Sequence, residues 1–422
     1  MVWSRHYASA EGLDEAVMAL AVDAAGNAYC AGRKFVTGAG NEMFAMRLDA
    51  ADGNVAWTAL RGGTGLVEDA AWDVVVGADG HPVIAGVVEN AGGVAATVVR
   101  KLDASDGGLI WDRELPDAVA DIASAAHWLA NLAGGDVAVC ARVFGANGYD
   151  TALHRLAGAT GTPTWSVRYD GATHGGDDPR GLALDAAGDL LVCGVQDVWW
   201  NYDYMLLKFA AADGALVWEG ERYDGPPGWY DVGTCLGVAA DGTIVVAGLS
   251  DGSGTDWDVA TVGFAPDTGL QTWSHRYDGP SSASDQARDV VVAADGTVFV
   301  TGYAYAGATG KDLLAMRLDP ASVSAVPDRV PGAAALRAWP NPFNPRVELA
   351  YELAAAGPTR LAVYDLRGAR IALLQDGPLA AGPHRWAWNG RDEAGNRVAA
   401  GVYLIRLAGP DGPALRRVTL LP

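Results

Sequence analysis

No run of 18 apolar residues occurs in the 422-residue chain, which excludes a membrane-spanning helix. Met1 is followed directly by strand-like sequence, where a secretory signal would have a basic stretch and an apolar run. A removed signal, a truncated gene start and a cytoplasmic chain each account for that. Positive charge is also scarce, with 30 Lys and Arg against 51 Asp and Glu and a net charge of −21. The shortage is uneven: from Gly332 onward there are 11 Arg, no Lys and 7 acidic residues, leaving 19 basic against 44 acidic residues before it. A surface that acidic repels nucleic acid and anionic lipid, so neither is expected as a partner. Catalytic signatures are missing too. The seven His are scattered, and there is no His-Glu-x-x-His, no Gly-x-Ser-x-Gly and no phosphate-cradling loop. No catalytic residue, metal or cofactor is therefore assigned. His6 and His275 fall in Trp-bearing strands, where an exposed outer edge is expected. Half the residues are hydrophobic and only 19% are charged, which argues for a packed interior and against disorder.

Glycine and tryptophan are abundant, and they are regularly placed. The phrase Trp3-Ser4-Arg5-His6-Tyr7 returns around Trp57, Trp111, Trp165, Trp218 and Trp273, at spacings of 54, 54, 54, 53 and 55 residues. A Gly stands four residues before each internal Trp, at 53, 107, 161, 214 and 269, and a second series of turn Gly runs through 26, 80, 135, 188, 242 and 296. Within the first unit, 17–23, 27–34, 43–49 and 55–60 read as four strands joined by such turns, where Gly reaches positive φ without a Cβ clash. Repeats of this length with several short strands predict a β-propeller. The last unit stops after its third strand at 313–318, and Pro320-Ala321-Ser322-Val323 replaces the expected Gly and Trp. The expectation is an all-β, six-bladed propeller over residues 1–320. It is closed by the N-terminal strand Trp3–Tyr7 pairing with 313–318, which leaves no open edge. The six repeated Trp are expected to pack between neighbouring blades.

Residues 1 to about 320 resemble the SBBP-type propeller repeats and, in the Gly-x-x-x-Trp spacing, the quinoprotein-type repeat. The resemblance implies fold, not activity, because quinone-binding enzymes need a dedicated pocket and metal site that this sequence does not assemble. Residues 321–338 form a Pro-, Ala- and Val-rich linker. The strand patterns of 339–422 then predict a small immunoglobulin-like β-sandwich. Its Pro340-Asn341-Pro342-Phe343-Asn344-Pro345, Val363-Tyr364-Asp365, Trp388, Gly390-Arg391-Asp392, Gly395 and Gly401-Val402-Tyr403 resemble the C-terminal sorting domain of type IX secretion. They resemble the immunoglobulin-like domain of the flagellar hook-scaffold family equally. By that resemblance residues 339–422 are an address read by secretion machinery, and the chain is extracellular or on the outer cell surface.

Three sets of residues are candidate sites. Cys30, Cys140 and Cys193 occupy a second-strand position held elsewhere by Ala85, Ala247 and Thr301, so they and Cys235 are expected as free, buried thiols. Acidic residues recur before the first strand of each blade (Asp14, Asp69, Asp121, Asp178, Asp231, Asp285) and before the third (Glu42, Asp150, Asp203, Asp258, Asp312). They are expected to accept backbone N–H groups of the adjoining loops, since none has the spacing of a calcium loop. On that same loop face lie aromatics that do not repeat: Trp199, Trp200, Tyr202, Tyr204, Trp229, Tyr230, Trp257 and Tyr305. Trp199, Trp200, Tyr202, Trp229, Tyr230 and Trp257 are the candidate ligand-binding residues, suited to stacking on a glycan or anchoring a surface protein. Binding or adhesion is the expected function. A polysaccharide-acting enzyme with two converging carboxylates is one alternative. A structural module of a larger surface protein is another.

Overall fold

The computed structural model describes residues 3–7, 15–63, 69–89, 95–119, 127–145, 148–171, 175–198, 201–225, 230–252, 255–307, 310–320, 336–339, 343–353, 356–364, 370–409 and 412–421. The chain divides into two compact units, Met1–Pro327 and Asp328–Pro422.

Alternating apolar runs and Gly turns in the first unit fold into a series of antiparallel meanders in chain order. The first blade holds β1 (Glu15–Val22), β2 (Ala28–Val36), β3 (Gly40–Leu48) and β4 (Val55–Arg61). The second holds β5 (Ala70–Val76), β6 (Pro82–Glu89), β7 (Ala95–Leu102) and β8 (Leu109–Val119). The third holds β9 (His127–Asn131), β10 (Val137–Phe144), β11 (Tyr149–Leu156) and β12 (Pro163–Tyr169). In the fourth are β13 (Asp177–Leu184), β14 (Leu190–Val198), β15 (Asn201–Phe209) and β16 (Leu216–Glu219). In the fifth are β17 (Asp231–Val238), β18 (Ile244–Asp251), β19 (Trp257–Phe264) and β20 (Gln271–Tyr277). The sixth has three strands, β21 (Gln286–Val292), β22 (Val298–Tyr305) and β23 (Lys311–Leu318).

First strands pack on first strands in the order β1, β5, β9, β13, β17, β21. In five of the six blades the first strand carries a bulge, as between Ala71 and Asp73. A Gly on the second strand faces the bulge. At Gly86 the Ala70 carbonyl occupies the space of a would-be Cβ.

The repeated Trp joins one blade to the next. The Trp57 ring lies on Gly107 in the β7–β8 turn, and its Nε1 donates to the Ala104 carbonyl at 3.0 Å. Trp111 and Trp165 do the same to the following blades, donating to Gly158 and Ala211 at 3.0 and 3.1 Å. Gly107 has φ +75° and the position of its missing Cβ is 2.7 Å from Trp57 Cε3. The turn Gly is thus required twice, by its backbone angle and by the ring lying on it. Trp57 sits among Tyr29 and Met43 of its own blade and Val74, Ile84 and Leu102 of the next.

Trp3 follows this pattern on the first blade, with its ring on Gly53 and Nε1 donating to Ala50 O at 3.0 Å, while the Tyr7 hydroxyl donates to the Gly53 carbonyl. Residues 3–7 are not, however, in a strand. Among the described residues β23 has no fourth neighbour, so the expected pairing of Trp3–Tyr7 with 313–318 is not made. Leu313 is 87% exposed, and Val17, Leu20 and Val22 of β1 are exposed as well. The Trp3 contact is the one that Trp57, Trp111 and Trp165 make to the blade following theirs, while nothing described covers the flank of β23.

In the second unit β24 (Arg337–Trp339), β25 (Val347–Leu353) and β28 (Gly382–Trp388) form one sheet. The other sheet runs β27 (Arg370–Leu379), β26 (Gly357–Tyr364), β29 (Gly401–Gly409), β30 (Gly412–Leu420). Alternate apolar residues from both sheets, including Phe343, Leu349, Trp388, Val363, Ile405 and Val418, meet in one core. The Trp388 indole also donates to Arg391 O at 2.8 Å, tying the Gly390-Arg391-Asp392 corner to that core. Of the segment expected as a linker, 321–335 lie outside the described residues; Leu336 is buried in the sandwich core and Arg337 and Ala338 belong to β24, so the sandwich begins before 339.

Candidate functional site

Loops before the first and third strands of each blade open on one face, as strand alternation requires. The recurring carboxylates are built into it by backbone bonding. Asp69 accepts from Gly63 N and Glu89 N, Asp231 from Gly225 N, and Asp285 from Gly279 N and Tyr305 N. In the fourth blade that role belongs to Asp177, which accepts from Gly171 N at 2.5 Å. The expected Asp178 is one residue out of register. Its side chain points to the other side of the strand and pairs with Arg142 and Arg180 at 2.9 and 2.6 Å. Asp14 and Asp121 lie outside the described residues.

The third-strand carboxylates Asp150 and Asp258 each pair with the Arg of the Trp strand, Arg168 and Arg276, at 2.7 and 2.8 Å. Asp203 meets Arg222 at 3.9 Å. Burial pushes the Asp203 carboxyl up to about 8 and the charge of Asp224 adds to that. Burial likewise lifts Asp231 to about 7. Protons are thereby held on carboxyls beside the loop face near neutral pH.

The aromatic candidates separate into two groups. Tyr202, Tyr230 and Trp257 come together in a row across the fourth and fifth blades. Ring centroids are 5.1 Å apart for Tyr202 and Tyr230, and 5.4 Å apart for the stacked pair Tyr230 and Trp257. The half-buried row rests on Val195, Val232 and Leu249. Each ring is sequence neighbour to a carboxylate, Asp203, Asp231 and Asp258 respectively. Trp199, Trp200 and Trp229 lie outside the described residues. Tyr204 is fully buried, donating to Ala260 O at 3.0 Å, and is a core residue.

All four Cys are free and buried. His6 is exposed, but His275 is half-buried beside the Trp273 strand. Sequence reasoning passed over His127 and His154, both buried in the third blade. His127 bonds Thr97 Oγ1 at 2.8 Å and His154 bonds Ser166 Oγ at 2.9 Å. Burial drives His127 down to about 3, so it is a neutral ring at physiological pH. No helix among the described residues is long and apolar enough to cross a membrane.

No curated protein matches the chain. Among solved structures it is similar to BamB from Moraxella catarrhalis, at 17% identity over 80% of this chain and 82% of that one, with a TM-score of 0.34. A quinohemoprotein alcohol dehydrogenase from Comamonas testosteroni is 11% identical over 86% of this chain and 67% of its own, with a TM-score of 0.38. A PL25 ulvan lyase is 11% identical over 78% and 88%, with a TM-score of 0.39. Residues 345–412 match the model of the FlgD Ig-like domain. Residues 95–330, more than half the chain, match the model described as outer membrane protein assembly factor BamB, and the chain belongs to that family.

Proposed function

We propose that this protein is a binding or adhesion propeller of the bacterial cell envelope, surface or exterior, and that it takes a glycan or a surface protein on its loop face. The observation that carries the reading is the row Tyr202, Tyr230 and Trp257. Half-buried rings with centroids 5.1 and 5.4 Å apart form a continuous aromatic surface suited to packing against a sugar ring or an apolar side chain. Trp199, Trp200 and Trp229, sequence neighbours of these rings, complete the candidate set in this reading. The test is a glycan array and pull-down with the full chain beside a Tyr202→Ala/Trp257→Ala variant. Binding lost in a variant that keeps its melting temperature supports the reading; binding unchanged refutes it.

The finer architecture belongs to the same proposal. Residues 1–320 form a six-bladed ring whose last blade is completed by Trp3–Tyr7, a reading supported by Trp3 standing on Gly53 as Trp57 stands on Gly107. The segment between 320 and Leu336 links this ring to a sorting domain that hands the chain to type IX secretion machinery. Removing 339–422 in a host with that machinery is expected to leave the propeller inside the cell; unchanged export would refute the assignment. A second reading, polysaccharide cleavage, has one observation in its favour: Asp203, raised to about 8, adjoins the aromatic row and the charge of Asp224. Reducing-sugar release lost in Asp203→Asn with binding retained would select it.

A further inference from the structure

One position of the repeat carries a ring in three consecutive blades. At the entrance of the third strand, just before its carboxylate, stand Tyr149 in the third blade, Tyr202 in the fourth and Trp257 in the fifth. Asn41, Ala95 and Lys311 hold the same place in the other blades. Tyr149 is firmly backed: the buried Arg142 guanidinium lies 4.3 Å from its ring centroid and is itself held by Asp178 at 2.9 Å. Phe144 meets the same ring edge-on, with centroids 5.8 Å apart, and is 54% exposed. A Phe presented to solvent against a ring that is already pinned loses little side-chain freedom when something docks on it. Between this pair and Tyr202 the surface dips, because Gly176 stands where the next blade has Tyr230. Among the described residues, the atoms nearest to its would-be Cβ are 3.9 Å away, on Tyr149 and Asp197.

The rings alternate with charge. Each of these Trp strands leaves through Tyr-Asp-Gly, and Asp170, Asp224 and Asp278 of the three exits are exposed. An Asp170 oxygen lies within 4.8 Å of one of Asp150, and an Asp224 oxygen within 4.8 Å of one of Asp203, so these exits adjoin the ring-bearing strand entrances. In the fifth blade the charges of Asp258 and Asp278 both reach Asp285. The arginines of the same exits, Arg168, Arg222 and Arg276, are turned to the buried Asp150, Asp203 and Asp258. A carboxylate has about four acceptor sites, so a bond already made, such as that from Ser282 Oγ to Asp278 at 3.2 Å, does not exhaust it.

Resting on the reading that the aromatic row binds a glycan, we propose that Phe144 and Tyr149 extend the row to the third blade and that its ligand is a polymer of amino sugars. Sugar faces pack on the rings of the three blades, and ammonium groups meet the exposed carboxylates between them. A ring and a carboxylate recurring blade by blade match a ligand that is itself a repeat of one cationic unit. A folded partner protein presents no such period, and a uronic or sulfated glycan is repelled by the same charges.

The test is calorimetric titration of the full chain with a glucosamine dimer, a glucosamine hexamer and the N-acetylated hexamer, in mildly acidic buffer where the amines are charged. The glucosamine hexamer should bind about tenfold more tightly than either of the others, and its binding should weaken as salt is raised. Phe144→Ala, at an exposed position, should keep its melting temperature, lose about fivefold in hexamer affinity and leave dimer affinity unchanged. Equal affinity for the charged and N-acetylated hexamers, no binding of the glucosamine hexamer, or no effect of Phe144→Ala would overturn the proposal. Displacement of the hexamer by oligolysine at equal charge would assign the surface to a basic protein segment, and would overturn it too. The underlying reading fails on different grounds, when no glycan depends on Tyr202 and Trp257; a neutral glycan that does depend on them keeps that reading and removes this one.

Discussion

Replacing Gly107 by Ala tests whether the repeated Trp holds neighbouring blades together or merely lies near them. The new Cβ would fall 2.7 Å from Trp57 Cε3 and 2.8 Å from Cδ2, and the residue would have to keep φ near +75°. The backbone angle alone costs about 1–2 kcal/mol for an L residue, and forcing a methyl against a packed ring adds about 1–3 kcal/mol. Gly80 supplies the control. Its φ is +81° and nothing lies within 4 Å of its would-be Cβ, so Gly80→Ala carries the backbone cost alone. Thermal and urea unfolding of the two variants should separate by the packing increment, with Gly107→Ala the less stable. In a Trp57→Ala background, itself destabilised by about 3–5 kcal/mol, the increment should vanish, because the ring it clashes with is gone. Equal losses for Gly107→Ala and Gly80→Ala in the parent protein would show that the ring does not press on the turn, and the account of blade coupling would fail.

Three other outcomes are expected. Burial lifts Asp73 to about 6 against the Leu129 and Val74 N–H groups, so the folded chain holds a proton there that the unfolded chain has released. Its contribution is full below pH 4 and lost as pH rises through 6, about 3 kcal/mol that Asp73→Asn should remove from a melting-temperature profile over pH 4–8. His127, lowered to about 3, has the opposite sign: stability should fall as pH drops from about 6.5 toward 3, and His127→Gln should flatten that limb in the same experiment. The four thiols, each raised by burial, should resist an aromatic disulfide reagent in the native protein and all react in guanidinium, and prompt native labelling would contradict their placement.

Periodicity made the blades legible, because a 54-residue recurrence of Trp and Gly survives any uncertainty about strand ends. Strand alternation likewise placed the loop face. Packing of the repeated Trp between neighbouring blades was expected from the period, but the partner of each ring was not legible. That Trp57 lies on Gly107, and not on a turn of its own blade, depends on how one sheet leans on the next. The Gly residues facing first-strand bulges, such as Gly86, carried a signal in the sequence, a small residue then Gly on five of the six second strands, which is not by itself diagnostic of a bulge. Two adjacent acids hid the register at Asp177 and Asp178, where only the Gly171 bond decides between them. The bond of His127 to Thr97 joins two blades, so no spacing within one repeat could have announced it.

The Trp-on-Gly contact also bears on how such a chain changes length. Trp3, Trp57, Trp111 and Trp165 each find a partner carbonyl 46 or 47 residues further on, inside the following repeat. An in-frame duplication of one repeat would therefore carry both halves of the joint: a ring for the blade ahead and a turn for the blade behind. Blade number can then grow or shrink one unit at a time without any new interface being invented, and only the two ends of the array must find a different arrangement.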